Sequence, residues 1–172
     1  MKTIITGHSQ ADIFLFADSA VGREAQPLFV PDGEWVGCLR LAVRVHLLGK
    51  TIAPAFVPRH IDSWSVVLVM RPAGEVALPG WLSIMDSAVT AGRWQPLGGG
   101  PLAYEAQLPD GQTVSVGPFS MDEVCQAVSQ ASQLATLKTG DIIIPPFAGQ
   151  PEFPLRPGTR LEVPGFLSVK IK

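Results

Sequence analysis

The segment CLRLAVRVHLLGK, residues 38–50, places polar and reactive side chains on alternate positions. Cys38, Arg40, Arg44 and His46 stand at even numbers, whereas the odd-numbered residues from 39 to 47 are aliphatic. This alternation is typical of a strand with one face in the core, because successive side chains of a strand point to opposite sides. The polar face could therefore bind an anion through its guanidiniums or form a Cys/His nucleophile pair.

Other candidate groups are weaker. Cys38 and His46 are eight residues apart, and at roughly 3.3 Å per residue their Cβ atoms lie about 26 Å apart, so they cannot meet. His60 and Asp62 are within reach of each other, but without a third partner a surface pair is favoured over catalysis. The stretch LGGGP, residues 97–101, has no lysine of a phosphate-binding loop and predicts a turn.

Short apolar segments separated by proline and glycine predict a mostly β fold, since 16 Pro and 17 Gly are scattered along the chain. SWSVVLVM has no alternation, which indicates a central strand covered on both faces. YEAQLPDGQTVSV predicts a hairpin around its Pro-Asp-Gly turn. The predicted strands are Thr3–Ile5, Ile13–Phe16, Leu28–Val30, Leu39–Leu48, Trp64–Met70, Leu102–Leu108, Thr113–Val116, Ile142–Ile144, Arg160–Val163 and Phe166–Ile171.

One segment, SMDEVCQAVSQASQLATLKTGD, predicts a helix. Ser120 followed by Glu123 predicts a capping box, and Gly140 ends the run. The apolar residues at helical spacing are Val124, Val128, Ala131, Leu134 and Ala135. At 172 residues the chain is expected to form a single domain, residues 1–172, of mixed α+β class with mostly β structure and one main helix.

The composition argues against several classes of protein. A formal net charge of -2, without basic or acidic blocks, argues against nucleic-acid and anionic-membrane binding. No apolar run approaches the roughly 20 residues that span a bilayer. Two cysteines without metal-ligand spacing, and a start without a signal-peptide pattern, predict a cytoplasmic protein with free thiols.

The stretch LKTGDIII and the closing strands that end in VPGFLSVKIK resemble the C-terminal signature of the fumarylacetoacetate hydrolase superfamily. In that family a helix leads into a Leu-x-x-Gly-Asp-Ile-Ile strand, and residues 137–143 fit this pattern. LFADSA, GCLRLAVRVHLLGK and HIDSWSVVLV follow other family segments in the same order, so the resemblance extends over most of the chain. It implies a β-sandwich roll of mixed sheets with one main helix, and a homodimer.

The resemblance also implies a metal site, from which this sequence departs. Family enzymes hold magnesium or manganese with two glutamates and an aspartate, whose positions fall on Cys38, Arg40 and Val69. Valine offers no oxygen ligand, and a guanidinium about 4 Å from a divalent ion costs roughly 8 kcal/mol at an effective dielectric near 20. The segment for the family's catalytic His and Glu is also too short, and His8 does not match. We therefore expect a degenerate member without metal or cofactor.

Two interpretations of Arg40 stay open. In one, Arg40 with Arg71 or Arg93 replaces the charge of the metal and binds a small carboxylate bidentately. In the other, Arg40 pairs with an acid such as Asp86 or Asp62 and fills a defunct cleft. The candidate ligand-binding residues are Cys38, Arg40, Arg71 and Asp86.

These residues predict a non-catalytic binding or assembly protein. The alternative is a metal-independent hydrolase, decarboxylase or isomerase that acts on a small keto acid or acylpyruvate, with Arg40 as the electrophile. A third interpretation is a regulatory subunit that pairs with an active homologue. Turnover with and without a chelator distinguishes the enzyme from the binding protein.

Overall fold

The computed structural model describes residues 1–9, 12–24, 26–75 and 77–172. Within these residues one α-helix, α1, spans Met121–Leu134, and short 3-10 helices span Asp18–Ala20, Pro54–Arg59 and Gly80–Ile84. The strands are β1 Thr3–Ile5, β2 Phe14–Phe16, β3 Val21–Arg23, β4 Trp35–Val45, β5 Ile61–Pro72, β6 Val89–Ala91, β7 Gln95–Pro96, β8 Leu102–Gln107, β9 Thr113–Phe119, β10 Ile142–Ile144, β11 Glu152–Pro154, β12 Arg160–Val163 and β13 Leu167–Lys170.

The described strands form two sheets. The larger is a nine-stranded mixed sheet in the order β2-β1-β10-β4-β5-β6-β3, with β11 also paired to β4 and β7 to β5. Its parallel pairs are β1 with β10 and β3 with β6. The smaller sheet is antiparallel in the order β13-β12-β8-β9 and contains the predicted hairpin. The fold is thus the predicted mixed, mostly β architecture with one main helix.

The antiparallel pair β4 and β5 is the centre of the larger sheet. All residues of β5 from Ser63 to Met70 are buried, as predicted for a strand covered on both faces. On β4 the odd-numbered Leu39, Leu41 and Val43 are completely buried. Because neighbouring side chains of a strand alternate, the even-numbered residues of β4 project from the other face of the sheet.

Helix α1 confirms the helical periodicity for Val124, Val128 and Ala131, which are buried. The predicted end is wrong, because α1 stops at Leu134, which is exposed, and Gly140 lies beyond the helix. The predicted capping box is wrong. Ser120 is the N-cap residue, but its side chain makes no capping hydrogen bond. The acidic residues of the first turn instead complement the positive end of the helix dipole.

Several strand boundaries differ from the sequence pattern. The predicted strand Leu28–Val30 is wrong, because only Leu28 forms an isolated bridge, to Ile171. Prolines stand on both sides of this segment, at positions 27 and 31, and each lacks the N–H that a ladder needs. The sequence analysis does not predict the strands β3, β6, β7 and β11. The equally short β1, β2 and β10 are marked by runs of apolar residues, which VGR, VTA, QP and EFP lack.

A buried carboxylate fixes the parallel pair β1 and β10. Asp141 accepts hydrogen bonds from the backbone N–H of Lys2 at 3.0 Å and of Lys138 at 2.8 Å. The Lys2 ammonium forms an ion pair with the same carboxylate. We call this group, Lys2, Lys138 and Asp141, the Asp141 knot.

None of the described helices is long and apolar enough to cross a membrane.

Candidate functional site

A cavity of about 540 Å³ opens on the even-numbered face of β4. The strands β4, β5 and β11 and the loop after β5 supply most of its wall. Three lining residues are those onto which the resemblance places metal ligands, so the structure brings them to one site. The residues that line the cavity are Ile5, Cys38, Arg40, Val69, Arg71, Gly74, Glu75, Leu78 and Glu152.

Strand register explains why these side chains meet. Cys38 on β4 lies opposite Val69 on β5 and opposite Glu152 on β11. Residues directly opposite each other in an antiparallel pair project to the same face of the sheet. Arg40 is two positions from Cys38 along β4, and Arg71 is two positions from Val69 along β5, so both share that face.

The carboxylate of Glu152 bridges the two guanidiniums. Arg40 donates from Nη2 to Oε1 at 2.5 Å, and Arg71 donates from Nη2 to Oε2 at 2.8 Å. Each arginine also donates from Nη1 to a backbone oxygen, Arg40 to that of Leu39 at 3.0 Å and Arg71 to that of Glu75 at 2.8 Å. We call Arg40, Arg71 and Glu152 the arginine clamp. It carries a formal charge of +1.

The environment of Cys38 keeps its thiol protonated at neutral pH. Burial raises the pKa of Cys38 to about 11, Arg40 opposes this rise, and Glu152 adds to it. Burial also acts to raise the pKa of Glu152, but hydrogen bonds from Arg71 and Arg40 outweigh it and hold that pKa below its ordinary value. A protonated thiol is a poor nucleophile, so Cys38 offers the cavity a small neutral group.

The other predicted residues lie elsewhere. Asp86 is exposed and is outside the lining of the cavity. Arg40 pairs with Glu152 rather than with Asp86 or Asp62, and Asp62 instead lies 3.8 Å from Arg44. The interpretation that Arg40 pairs with an acid is therefore confirmed, but the acid is Glu152 on β11 and neither of the two aspartates.

Two further candidates are also separated from the cavity. Arg93 forms an ion pair with Glu24 at 2.6 Å, away from the arginine clamp. His60 contacts the backbone oxygen of Leu47 through Nδ1 at 3.1 Å, while Asp62 accepts a hydrogen bond from Ser63 at 2.6 Å. Within the part of the chain that the structure describes, His60 and Asp62 form no hydrogen bond with each other.

Sequence reasoning missed Glu152. It lies on a strand of three residues within QPEFP, where prolines flank the acid and no alternation is visible. Its partner Arg40 is 112 residues away in the sequence, so local spacing could not connect them. The only signal is the pair of unmatched arginines on β4 and β5, which requires an acid from another element.

The cavity residues do not fit the divalent metal that the resemblance implies. Magnesium needs several hard oxygen ligands in near-octahedral geometry. Glu75 and Glu152 are the lining residues with carboxylates, and two guanidiniums already occupy that of Glu152. Across residues 1–9, 12–24, 26–75 and 77–172 there is no group of three or more His, Cys, Asp or Glu that could hold a metal ion.

The chain has the fold of the fumarylacetoacetate hydrolase family, as solved structures show. A protein from Yersinia pestis named for this family matches with a TM-score of 0.80 at 18% identity, over 99% of this chain and 93% of that one. No sequence profile of a known family matches the chain. No curated protein matches it either.

Hydrolases and isomerases share this fold. Maleylpyruvate hydrolase from Sphingobium sp. SYK-6, in complex with manganese(II) and pyruvate, has a TM-score of 0.77 and 18% identity, over 99% of this chain and 69% of that one. The 5-carboxymethyl-2-hydroxymuconate delta-isomerase from Mycobacterium smegmatis has a TM-score of 0.76 and 18% identity, over 99% of this chain and 76% of that one. At such identities the likeness establishes the fold.

Proposed function

We propose that this protein binds a small carboxylate in the cavity of the arginine clamp without a divalent metal and without catalysing a reaction. The observation that supports the proposal is that Arg40 and Arg71 face one cavity and already hold a carboxylate between them. Two guanidiniums with fixed N–H groups are suited to bind a carboxylate through parallel hydrogen bonds.

The proposal assigns to arginine the charge that a metal supplies elsewhere in this fold. Maleylpyruvate hydrolase holds pyruvate together with manganese(II). In this chain, the positions on which the resemblance places metal ligands carry a thiol, a guanidinium and an isopropyl group, on Cys38, Arg40 and Val69. A fixed guanidinium keeps the attraction for a carboxylate but repels a divalent cation.

The chemistry of the lining residues favours binding over turnover. The thiol of Cys38 is protonated because its pKa is about 11, so it supplies no thiolate nucleophile. Glu152 is a weak base because its pKa is lowered and its carboxylate is hydrogen-bonded to both arginines. Val69 and Ile5 add only apolar surface to the wall.

Isothermal titration with pyruvate, oxaloacetate and acetylpyruvate in the presence of EDTA tests the proposal. We expect binding that Arg40→Ala and Arg71→Ala each weaken by about tenfold or more, since a hydrogen bond to a charged group contributes about 1.5–3 kcal/mol. Arg44→Ala is the matched control. Arg44 lies on the same face of β4, but it stacks over Trp94 at 5.1 Å and does not line the cavity.

Two results would contradict the proposal. Binding that survives both Arg40→Ala and Arg71→Ala would remove the basis for a role of the guanidiniums. Turnover of an acylpyruvate or of oxaloacetate in the presence of EDTA would instead support the metal-independent enzyme. The homodimer, the pairing with an active homologue and the cytoplasmic location stay predictions, which light scattering, copurification from the native host and cell fractionation would test.

A further inference from the structure

We propose that Glu152 is a built-in competitor that occupies the carboxylate site of the arginine clamp, so that a ligand binds by displacing the Glu152 side chain. This inference deepens the proposed function and rests on it. It assigns to Glu152 control over the affinity of the site, a role that neither the fold nor the resemblance supplies.

The two arginines have anchors that do not involve Glu152. The Nη1 group of Arg40 is held by the backbone oxygen of Leu39, and that of Arg71 is held by the backbone oxygen of Glu75. Only the Nη2 groups are directed at Glu152. When the Glu152 side chain leaves, both guanidiniums therefore keep an anchor and present a preorganised pair of donors to an incoming carboxylate.

Glu152 is the most exposed member of the arginine clamp. Its side chain is 39% exposed, against 25% for Arg40 and 21% for Arg71. The backbone of Glu152 is fixed by the pairing of β11 with β4, so a rotation about its side-chain bonds suffices to move the carboxylate into water. No strand has to separate for the exchange to occur.

The cavity also offers a surface for the body of a ligand. Ile5, Val69 and Leu78 line the same cavity as the arginine clamp. Glu152 is tethered to the wall, whereas a free ligand can place an apolar group against these three side chains and gain hydrophobic contact. The site therefore favours a monocarboxylate with a small apolar body.

The test compares Glu152→Gln with Glu162→Gln by isothermal titration with acetylpyruvate. Glutamine keeps the shape of Glu152 but leaves the two guanidiniums without a competing charge, so we expect binding to tighten by on the order of tenfold. Glu162→Gln is the matched control, because it also removes a partly exposed carboxylate that pairs with an arginine, Arg160, but Glu162 does not line the cavity. We expect Glu162→Gln to change the affinity by less than about twofold.

The outcomes separate this inference from the proposed function. If the unaltered protein binds acetylpyruvate and Glu152→Gln binds it no more tightly than Glu162→Gln does, the competitor role is overturned while the proposed function stands. If neither the unaltered protein nor Glu152→Gln binds, both fail. Acetylacetone, which lacks the carboxylate, should bind to none of the variants, and a tighter binding of acetylacetone to Glu152→Gln would also overturn the inference. Glu152→Ala provides a second variant, and circular dichroism checks that each variant is folded.

Discussion

The Asp141 knot and the arginine clamp both hold a carboxylate between cationic and N–H donors, yet their surroundings differ. The side chain of Asp141 is 1% exposed, and its donors include the backbone N–H groups of Lys2 and Lys138. The side chain of Glu152 is 39% exposed, and its donors are two arginine side chains that line a cavity. Burial thus makes the first carboxylate a structural element, while we propose that the exposed second carboxylate exchanges with a ligand.

The comparison also separates the residues that follow the resemblance from those that depart from it. Asp141 stands in the Gly-Asp-Ile-Ile segment that carries the resemblance, and it holds β1 beside β10. Glu152 serves the face on which Cys38 and Arg40 replace the acids that the resemblance implies. The structural carboxylate thus follows the pattern of the resemblance, whereas the residues of the cavity depart from it.

The largest expected effect is on stability. We expect Asp141→Ala to lower the free energy of unfolding by about 3 kcal/mol, because it leaves two backbone N–H groups and the Lys2 ammonium without their acceptor. Glu152→Ala should lower it by less than about 1 kcal/mol, since its ion pairs are partly exposed. Urea denaturation of the two variants measures both values, and equal losses would remove the distinction between knot and clamp.

A second experiment tests whether the cavity binds a divalent metal once it carries the ligands that the resemblance implies. The triple variant Cys38→Glu, Arg40→Glu and Val69→Asp places three carboxylates where the resemblance implies metal ligands. We expect it to bind Mn²⁺ at least about a hundredfold more tightly than the unaltered protein, or about 2.7 kcal/mol. Electron paramagnetic resonance of free Mn²⁺ measures this. A folded triple variant that binds Mn²⁺ no better would contradict the assignment of these positions.

The smallest effect is a pH dependence of the clamp. The pKa of Glu152 is lowered in the folded protein, so its contribution to stability is complete above its ordinary value of 4.5 and is lost as the pH falls through the lowered value. Because Glu152 is partly exposed, the contribution should be below about 1 kcal/mol. The difference in the free energy of unfolding between the unaltered protein and Glu152→Gln, measured by urea denaturation, should therefore shrink below pH 4.5. A difference that grew on acidification would have the wrong sign.

Much of the fold follows from local patterns. The apolar run of β5, the alternation of β4 and the periodicity of α1 each span enough residues for their period to be visible. The short strands β3, β6, β7 and β11 show no such period. They form because partners elsewhere in the sheet pair with them. The strand order likewise depends on contacts that no local pattern contains.

The cavity was predictable only in part. Cys38 and Arg40 follow from the alternation of β4, and Val69 and Arg71 from the run of β5 once the two strands are placed side by side. Glu152 was missed because a three-residue strand brings it from a distant part of the sequence. Asp86 was misplaced because proline and glycine make the register between residues 72 and 100 indeterminate from sequence.

The parallel pairing of β1 with β10 has a consequence for the synthesis of the chain. Thr3 pairs with Ile142, so β1 gains its β10 partner only after about 140 further residues have been synthesised, although the nearby β2 can pair with its other edge much earlier. Contacts of such long sequence separation close late and slow the search for the native topology. The edge of β1 that pairs with β10 therefore stays open until residues 142–144 have left the ribosome.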